Sequence, residues 1–451
     1  MAETTNLETL FLTFNCARQA INTDHFAASI VKGLSTRLPP DLIVLSLQEI
    51  APIGYAFLGG SFLAPYLDRF AEAFNKAWGN ESEQYEAILN SNLGMTAIIL
   101  LAKPEVTRNV RWIETGGTGV GLWEMGNKGA VGARLGYTDG DVSQEVVLTF
   151  IAAHLAPMED ACDRRNQDWK AINENLVFGH VSQAVDARTK AVKDPSTETE
   201  PLLSSATDGG SKASDEHIHT IISPSSYTFF GGDLNYRTSD LPPHPDDHLT
   251  WPKPNTAAGD SGHYSQLMDR DQLSREREAG RTLHHLTEAP IGFPPTYKYS
   301  SKAQEQAKHA AKTASKAASD VPVHTEWVWA KHRHPSWCDR ILYLDPPFPG
   351  TQPKIHKYTS LDLQPTSDHQ PVALSCSIPL KPLPKMQNEA WVSSPFPVRR
   401  DWASYRAAAR RKEVIVGVAS YLALTREGEA LLLGTLVAVL GAWAALRSLL
   451  T

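Results

Sequence analysis

The chain has 451 residues, with 43 lysines and arginines against 50 aspartates and glutamates, and carries a net charge of −7. This acidic balance argues against a protein whose whole surface binds nucleic acid, although it leaves room for a local basic pocket. The length suits one large α/β domain followed by a C-terminal segment of different composition.

Eight apolar runs, most of them ended by polar residues, predict buried β-strands. Helical patterns fall between several of them, which predicts two packed sheets with helices outside. Two stretches break the pattern: 187–226 is predicted to be disordered, and 300–320 to be a surface helix or a mobile loop. The predicted strands are 10–14, 42–47, 96–101, 129–135, 146–153, 227–230, 341–344 and 372–375.

The cysteines and the N-terminus indicate a reducing compartment. The cysteines are scattered without metal-ligand spacing, and residues 1–5 lack the features of a signal peptide. We therefore predict free thiols and a protein that faces the cytosol. The four cysteines are Cys16, Cys162, Cys338 and Cys376.

The most informative segment follows the sixth predicted strand and reads Gly-Gly-Asp-Leu-Asn-Tyr-Arg over 231–237. Alternation along a strand lets Asp233 and Asn235 face one cleft while Leu234 packs away from it. An Asp beside an Asn can orient and deprotonate a water molecule. Taken alone, the segment is also consistent with a strand that ends in an ordinary polar turn.

Similar polar clusters recur in a fixed order along the chain, and together they resemble the inositol polyphosphate 5-phosphatases, a branch of the DNase I-like endonucleases, exonucleases and phosphatases. The resemblance runs from about Thr13 to Val372 and implies an α/β fold, a four-layer sandwich. The clusters are Thr13-Phe14-Asn15, Leu47-Gln48-Glu49, Gly126-Asn127-Lys128-Gly129, His154-Leu155, Arg165-Asn166-Gln167-Asp168-Trp169, Asp233-Leu234-Asn235-Tyr236-Arg237, Pro295-Thr296-Tyr297-Lys298, Trp337-Cys338-Asp339-Arg340 and Ser367-Asp368-His369-Gln370-Pro371.

The resemblance implies a Mg²⁺ cofactor, since Mg²⁺ prefers oxygen ligands and needs few carboxylates beside a phosphate. Glu49, directly after a predicted strand, is the best candidate ligand, and Asn15 is a second one. An exposed acid at a strand end is the alternative interpretation of Glu49 alone.

The resemblance also implies a catalytic set. Asp233 is expected to orient and deprotonate water, and Asn235 and His369 to neutralise the phosphoryl oxygens. Asp339 is expected to hold the ring of His369, as carboxylates do in other hydrolytic sites.

His154 is expected to touch the phosphate from the other side. Asp368 neighbours the catalytic histidine on an extended segment and points away from the site unless the backbone turns, so its implied role is secondary. The remaining histidines singled out, His25, His180 and His263, are predicted to be structural or solvated.

Cations beyond the metal centre would select the substrate. Lys331 and Arg333 alternate along a segment that we predict to be extended, so both can face a second phosphate. The resemblance implies that these positions grip a 4-phosphate while the 5-phosphate is cleaved; a solvated surface pair is the alternative. Lys128 and Arg165 lie in clusters that would contact other phosphates or support the site. The candidate substrate-binding residues are Tyr297, Lys298, Lys331, Arg333, Lys128, Arg165, Asn166 and Arg237.

The chain departs from the family pattern at several places. Met158 stands where a second histidine is usual, which suggests an apolar loop able to touch lipid, and Phe14 stands where tryptophan is usual. The segment between Lys298 and Lys331 is longer than is typical.

The C-terminus predicts a membrane anchor. Residues 430–446 contain no charge, so the apolar run just reaches the length that crosses a bilayer, and Arg447 can snorkel. A basic cluster precedes it, as expected beside an anionic leaflet. A buried or amphipathic helix pair is the alternative, because Glu427 and Glu429 interrupt the apolar runs. The cluster is Arg399, Arg400, Arg406, Arg410, Arg411 and Lys412.

These features predict a catalytic domain over 8–380, a basic linker over 381–413 and a hydrophobic tail over 414–451 that spans the membrane at about 430–450, with the endoplasmic reticulum as the expected location. The expected activity is hydrolysis of the 5-phosphate of phosphatidylinositol 4,5-bisphosphate in the cytosolic leaflet. A soluble inositol phosphate phosphatase, a related nuclease and an inactive membrane scaffold are the alternatives.

Overall fold

A computed structural model describes residues 6–34, 39–79, 84–139, 145–180, 220–254, 256–314, 328–384 and 391–450. Its strands are β1 Asn6–Asn15, β2 Leu42–Gln48, β3 Glu86–Leu93, β4 Thr96–Ala102, β5 Val110–Gly119, β6 Gly129–Tyr137, β7 Val146–His154, β8 Gly179–His180, β9 Ser226–Asp233, β10 Leu286–Glu288, β11 Asp339–Leu344, β12 Lys354–Ser360 and β13 Val372–Pro379. Its α-helices are α1 Thr23–Leu34, α2 Ile53–Leu58, α3 Ala64–Trp78, α4 Pro104–Asn109, α5 Cys162–Asn175, α6 Gln272–Glu278, α7 Ser301–Ala314, α8 Trp402–Leu424 and α9 Arg426–Leu450.

The strands form two mixed sheets. The first has six strands in the order β12-β13-β1-β2-β4-β3, and the second has seven in the order β10-β11-β9-β7-β6-β5-β8. The parallel pairs are β1 with β2 and β7 with β9, so these four strands end at the same edge of their sheets. That edge carries the polar clusters predicted from the sequence.

Alternation of side chains along the strands builds the layers. In β1, Leu7 and Phe11 enter the core between the sheets, whereas Leu10 and Phe14 pack on the outer face against α1 and α3. The outer face of the second sheet is covered by α5, whose Trp169 packs edge-on against a phenylalanine of β9. The result is the predicted four-layer sandwich, with helices outside and two sheets inside.

All eight predicted strands lie within observed strands. Strands β3, β5, β8, β10 and β12 are additional. Strands β8 and β10 have only two and three residues, and β3, β5 and β12 have half-exposed stretches instead of continuous apolar runs. Because β3 and β12 are the two edges of the first sheet, they bury one face only and give a weak apolar signal.

The two segments that broke the strand pattern have different outcomes. Most of 187–226 lies outside the described residues, although Ser226 already belongs to β9. Within 300–320, α7 is a helix that buries Ala303 and Ala307 against Tyr299 and Trp329. Residues 315–320 lie outside the described residues.

The C-terminal helices do not follow the predicted boundary between a basic linker and a hydrophobic tail. Helix α8 runs across position 414 without a break and packs on α2, burying Ala409, Glu413 and Gly417 at intervals of four residues. Helix α9 then begins at Arg426, and none of its most apolar window is buried in the protein. Among the described residues, α9 is the helix long and apolar enough to cross a membrane.

Two residues of the basic cluster form hydrogen bonds within the protein, although the cluster had been predicted from its charge to face a membrane. The guanidinium of Arg410 donates to the carbonyl of Phe57 at 2.7 Å. The ammonium of Lys412 donates to the carboxylate of Glu124 at 2.9 Å. These two contacts hold α8 on the α/β sandwich.

Candidate active site

The candidate site forms where the ends of strands from both sheets meet. Strand pairing sets His154 and Asp339 on either side of Asp233, because β7 and β11 flank β9 in register. From the other sheet, Asn15 at the end of β1 donates its amide to Asp233 at 2.9 Å. The sheet ends are joined again by Ser46, whose hydroxyl donates to a carbonyl of β9 at 2.8 Å.

A cleft of about 480 Å³ opens at this edge. Ten of the residues predicted for the site line it. They are Asn15, Glu49, Lys128, Asp233, Asn235, Arg237, Tyr297, Lys298, Asp368 and His369.

Asp233 is the buried anion of the cleft. Its Oδ2 atom accepts from Asn15 and lies 3.1 Å from Nε2 of His154, whereas Oδ1 has no hydrogen-bond partner among the described residues. Burial works to raise the pKa of this carboxyl, but attraction to His154, His369 and Lys128 holds the pKa far below its usual range. A buried, ionised carboxylate with a free oxygen can accept a proton or a hydrogen bond from a ligand.

His369 faces Asp233 and is held from behind. Its Nδ1–H donates to Asp339 at 2.9 Å, and Asp339 also accepts from the hydroxyl of Thr296 at 2.7 Å. Burial works to lower the pKa of the imidazole, but Asp339 and Asp233 outweigh it and raise the pKa to about 9. The ring therefore carries a positive charge at neutral pH, with Nε2 4.0 Å from the carboxylate of Asp233.

Oxygen and nitrogen atoms of Asp233, Asp339 and His369 lie within 4.8 Å of one another, a spacing compatible with a metal ion. The Nδ1 atom of His369 is already bound to Asp339, and this hydrogen bond fixes the orientation of the imidazole. The group holds a positive charge in a fixed orientation toward the cleft.

Glu49 supplies a second carboxylate. It follows β2 in a left-handed backbone conformation, at φ 46°, which turns its side chain into the cleft. Its oxygens lie 2.9 Å from Nε of Arg18 and 3.9 Å from Nζ of Lys128. Burial works to raise the pKa of Glu49, but attraction to His154, Lys128 and Arg18 lowers it, so the group is ionised at neutral pH.

Beside Asp233, the side chains of Asn235, Arg237 and Tyr297 pack against one another. Asn235 donates to the carbonyl of Leu155 at 3.1 Å, and its own side-chain oxygen accepts from Arg237 at 2.5 Å. The guanidinium of Arg237 lies over the ring of Tyr297, with 4.5 Å between its central carbon and the ring centroid. This packing fixes the long side chain of Arg237 at the cleft.

Lys298 and Asp368 form the opposite rim. Their charged atoms are 2.6 Å apart, and both side chains are partly exposed to the cleft. The backbone bends at Asp368 and His369, so both side chains reach the site, which an extended segment would prevent. Burial works to lower the pKa of Lys298, but Asp368 raises it, which keeps the ammonium charged.

Two predicted catalytic residues lie behind the cleft. His154 is fully buried, and it contacts Asp233 and Lys128, so its expected contact with a phosphate needs correction. Burial and the neighbouring Lys128 lower the pKa of His154. Asp339 is also fully buried and reaches the cleft through His369 only, the arrangement expected of an orienting carboxylate.

Arg165 and Asn166 also need correction, because α5 directs them into the protein. Arg165 is fully buried and donates to the carbonyls of Ala156 and Met158. Asn166 donates to Glu276 at 2.8 Å. Arg165 thus supports the loop after β7, one of the two roles expected of it, and Asn166 bonds α6; neither lines the cleft.

Lys331 and Arg333 lie in a turn and do not alternate along an extended segment. Lys331 is exposed, and Arg333 lies 3.7 Å from Glu159 and donates to the sulfur of Met158 at 3.0 Å. Met158, which stands where a second histidine is usual in the resembled family, thus contacts Arg333, one of the two residues predicted to bind the 4-phosphate. Neither Lys331 nor Arg333 is among the residues that line the cleft.

The sequence interpretation missed Arg18 and Thr296. Arg18 follows Asn15 by three residues and lines the cleft beside Glu49, and Thr296 bonds Asp339. Thr296 lies inside the Pro295-Thr296-Tyr297-Lys298 cluster that the sequence analysis identified, so its membership of that cluster could have indicated a role in the site. The histidines His25 and His263 bond a backbone carbonyl and a helix start respectively, as expected, and the side chain of His180 lies outside the described residues.

Comparison with known proteins decides the family. The profile of endonuclease/exonuclease/phosphatase family 2 matches residues 12–375. The chain belongs to this family. The inositol polyphosphate 5-phosphatase domain of SPsynaptojanin, solved in complex with inositol (1,4)-bisphosphate and a calcium ion, has a TM-score of 0.56 and 21% identity, covering 92% of this chain and 93% of that one. The predicted DNase I-like fold is thereby confirmed.

The chain is also similar in sequence to two curated 5-phosphatases. Type I inositol polyphosphate 5-phosphatase 13 of Arabidopsis thaliana is 24% identical over 312 residues, which cover 67% of this chain and 24% of that protein. Phosphatidylinositol 3,4,5-trisphosphate 5-phosphatase 1 of Homo sapiens is 27% identical over 293 residues, or 64% of this chain and 19% of that protein. The chain thus spans about a quarter or less of the length of these relatives.

Proposed function

We propose that the chain is a Mg²⁺-dependent phosphatase that removes the 5-phosphate of phosphoinositides, with phosphatidylinositol 4,5-bisphosphate as the main substrate, at the cytosolic face of a membrane. The carrying observation is the pairing of an ionised, partly unsatisfied Asp233 with a protonated His369 in a cleft that also presents Lys128, Arg237 and Lys298. Anionic phosphates suit that set of cations. The names of the relatives support the same reaction class.

The residues of the chain divide the work of phosphate hydrolysis. His369 and Asn235 would stabilise the charge that develops on the phosphoryl oxygens, because both are fixed in place before the substrate binds. The free Oδ1 of Asp233 would orient the attacking water. Since its pKa is far below the usual range, we assign Asp233 first to orienting the water and only second to removing its proton.

Glu49 and Asn15 are the residues that would hold Mg²⁺. Glu49 is ionised and faces the cleft, and the side-chain oxygen of Asn15, which accepts from the amide of Ala17 at 3.0 Å, keeps a second lone pair; these oxygens fit a hard cation. When bound, the ion would supply positive charge that neutralises phosphate oxygens.

Removal of the metal should abolish turnover. We expect a chelator such as EDTA to lower phosphate release by on the order of a hundredfold or more, and excess Mg²⁺ to restore it. Glu49→Gln should raise the Mg²⁺ concentration needed for half-maximal rate, because it removes a negative ligand. Glu305→Gln, an exposed change on α7, is the matched control. Turnover that persists in EDTA would contradict the metal assignment.

The 4-phosphate should be read by Lys298 together with Lys331 and Arg333, which lie outside the cleft lining but in a turn that is joined to Lys298 by a hydrogen bond from the Ala330 amide to the Lys298 carbonyl at 2.9 Å. Lys298 lines the cleft, so Lys298→Ala should lower kcat/KM for the 4,5-bisphosphate by roughly tenfold or more, and the Lys331→Ala, Arg333→Ala pair should act in the same direction. A substrate without a 4-phosphate should be affected less. The exposed Lys302→Ala on α7 is the control. Equal losses on both substrates would show that these cations do not read the 4-phosphate.

The reaction class is tested by phosphate release over a panel of phosphoinositides, soluble inositol phosphates and abasic DNA. The proposal expects release from lipids that carry a 5-phosphate. Cleavage of abasic DNA without phosphate release from inositol compounds would favour a nuclease. Release from soluble inositol phosphates alone would favour the soluble-substrate alternative and leave α9 without a role in substrate access.

We further propose that α9 spans a membrane and anchors the enzyme, with the catalytic domain in the cytosol and the endoplasmic reticulum as the membrane. The support is the length of α9, its apolar surface, and Arg447 as the single basic residue near its end. The exposed Arg400 and Arg411 of the basic cluster fit the cytosolic leaflet.

A further inference from the structure

The segment 120–128 connects β5 with β6 and carries Lys128 into the cleft. Its base is closed by the amide of Val120, which donates to the carbonyl of Lys128 at 2.9 Å. On one side, the carbonyl of Gly126 accepts from the amide of Met95 at 2.8 Å. Lys128 then contacts His154 and lies 3.9 Å from Glu49, so its position depends on how this segment is held.

The other side of the segment is held by α8. The carboxylate of Glu413 accepts from the amide of Gly126 at 2.7 Å, and this side chain is only 2% exposed. Its second oxygen accepts from Arg410 at 3.2 Å, which fixes the carboxylate in place. A second contact joins the same two elements, because Lys412 donates to the carbonyl of Trp123 at 3.1 Å.

We propose that Glu413 is a positioning residue of the active site, which acts by holding the 120–128 segment and, through it, Lys128. A buried charged acceptor forms a stronger hydrogen bond to a backbone amide than a neutral one does, and its loss leaves that amide unsatisfied. Since α8 leads directly into α9, the helix that supports the cleft is joined to the helix proposed to enter the membrane. The inference rests on the proposed function only for the role of Lys128 in turnover.

The test compares Glu413→Ala with Glu413→Gln in the full chain in detergent micelles. Glu413→Ala should speed amide hydrogen exchange in 120–128 by about tenfold and lower kcat/KM for a short-chain phosphatidylinositol 4,5-bisphosphate by a similar factor. Glu413→Gln retains an acceptor oxygen and should stay within about threefold of the wild type in both measurements. Lys412→Ala, a change at a half-exposed residue that should not disturb folding, should speed exchange in the same segment by about threefold.

Tyr421→Ala is the matched control on the same helix. Tyr421 packs against Tyr55 and Phe62 and does not contact the 120–128 segment. The substitution removes this packing of α8, so it should lower Tm while amide exchange in 120–128 and kcat/KM stay at wild-type values.

Two results would overturn the inference: unchanged exchange in 120–128 in both Glu413→Ala and Lys412→Ala, or a loss of kcat/KM in Tyr421→Ala equal to that in Glu413→Ala. The Lys412→Ala arm decides the matter should Glu413→Ala not fold. An inactive wild type would contradict the proposed function, and the exchange measurements would still decide whether Glu413 holds the segment.

Discussion

Replacing Asp233 with asparagine should lower kcat by on the order of a hundredfold or more while the protein stays folded. The substitution keeps the size of the side chain and its contact with Asn15, but it removes the negative charge that faces His154 and His369. The free Oδ1 of Asp233 would no longer combine negative charge with an open acceptor site for water. The measurement is kcat and KM on a short-chain phosphoinositide, together with Tm.

Asp41→Asn is the control for this experiment. Asp41 pairs with Lys103 at 2.8 Å and does not line the cleft, so its loss should leave kcat near the wild-type value. Near-normal turnover of Asp233→Asn, with the variant folded, would remove Asp233 from the proposed catalytic set. A loss of Tm that matches the loss of turnover would assign the residue a structural role instead.

Burial explains which parts of the fold were predictable. The eight strands found from the sequence are apolar because most of their residues are buried on both faces between the sheets and the helices. The edge strand β12 has mostly half-exposed side chains, so its composition does not distinguish it from a loop. The interior strand β5 was missed for a related reason, because the first half of the strand is mostly half-exposed.

The candidate site was predictable where function requires a side chain at a strand end. Asn15, Glu49 and Asp233 stand at or directly after such ends, and all three line the cleft. Whether Arg165 contacts a phosphate or supports the site stayed open in the sequence, because a motif on a helix does not show which face of the helix is buried. The alternation argument for Arg333 failed because the chain turns there.

The role of α8 could not be predicted from sequence patterns. Its basic residues resemble a membrane flank, and nothing local relates Glu413 to Gly126, from which it is separated by 287 positions. Packing of that kind depends on the tertiary fold. The small buried residues at four-residue intervals, Ala409 and Gly417, were the available sign of a packed helix face.

Removing α9 alone should convert an integral membrane protein into a soluble enzyme. The full chain should resist extraction by salt and by alkaline carbonate, because burial of an apolar helix in hydrocarbon depends on neither ionic strength nor pH. A chain that ends at Thr425 should enter the supernatant and keep kcat on short-chain substrates within about threefold, since α8 and the cleft are intact. It should act poorly on lipid in vesicles because the local substrate concentration is lost.

A matched full-length variant separates the membrane contact from chain length. Leu436→Arg with Val437→Arg places two charges in the middle of α9, where both side chains are exposed on the protein, and each charge costs roughly 2.5–3.5 kcal/mol at the centre of a bilayer. This variant should be extracted by carbonate while its kcat on short-chain substrate stays unchanged. Release of the wild-type chain by carbonate would contradict the anchor and identify α9 as a peripheral helix.

Truncation before Val414, the boundary that the sequence suggested, should give a different result. It removes Gly417, which packs closely on Phe57, and Tyr421, which packs on Tyr55 and Phe62. Loss of that buried face should destabilise the domain by at least about 2 kcal/mol, seen as a lower Tm than that of the chain ending at Thr425. Equal Tm values for the two truncations would show that the second half of α8 adds nothing to the stability of the domain, which would favour the predicted boundary of the hydrophobic tail at Val414.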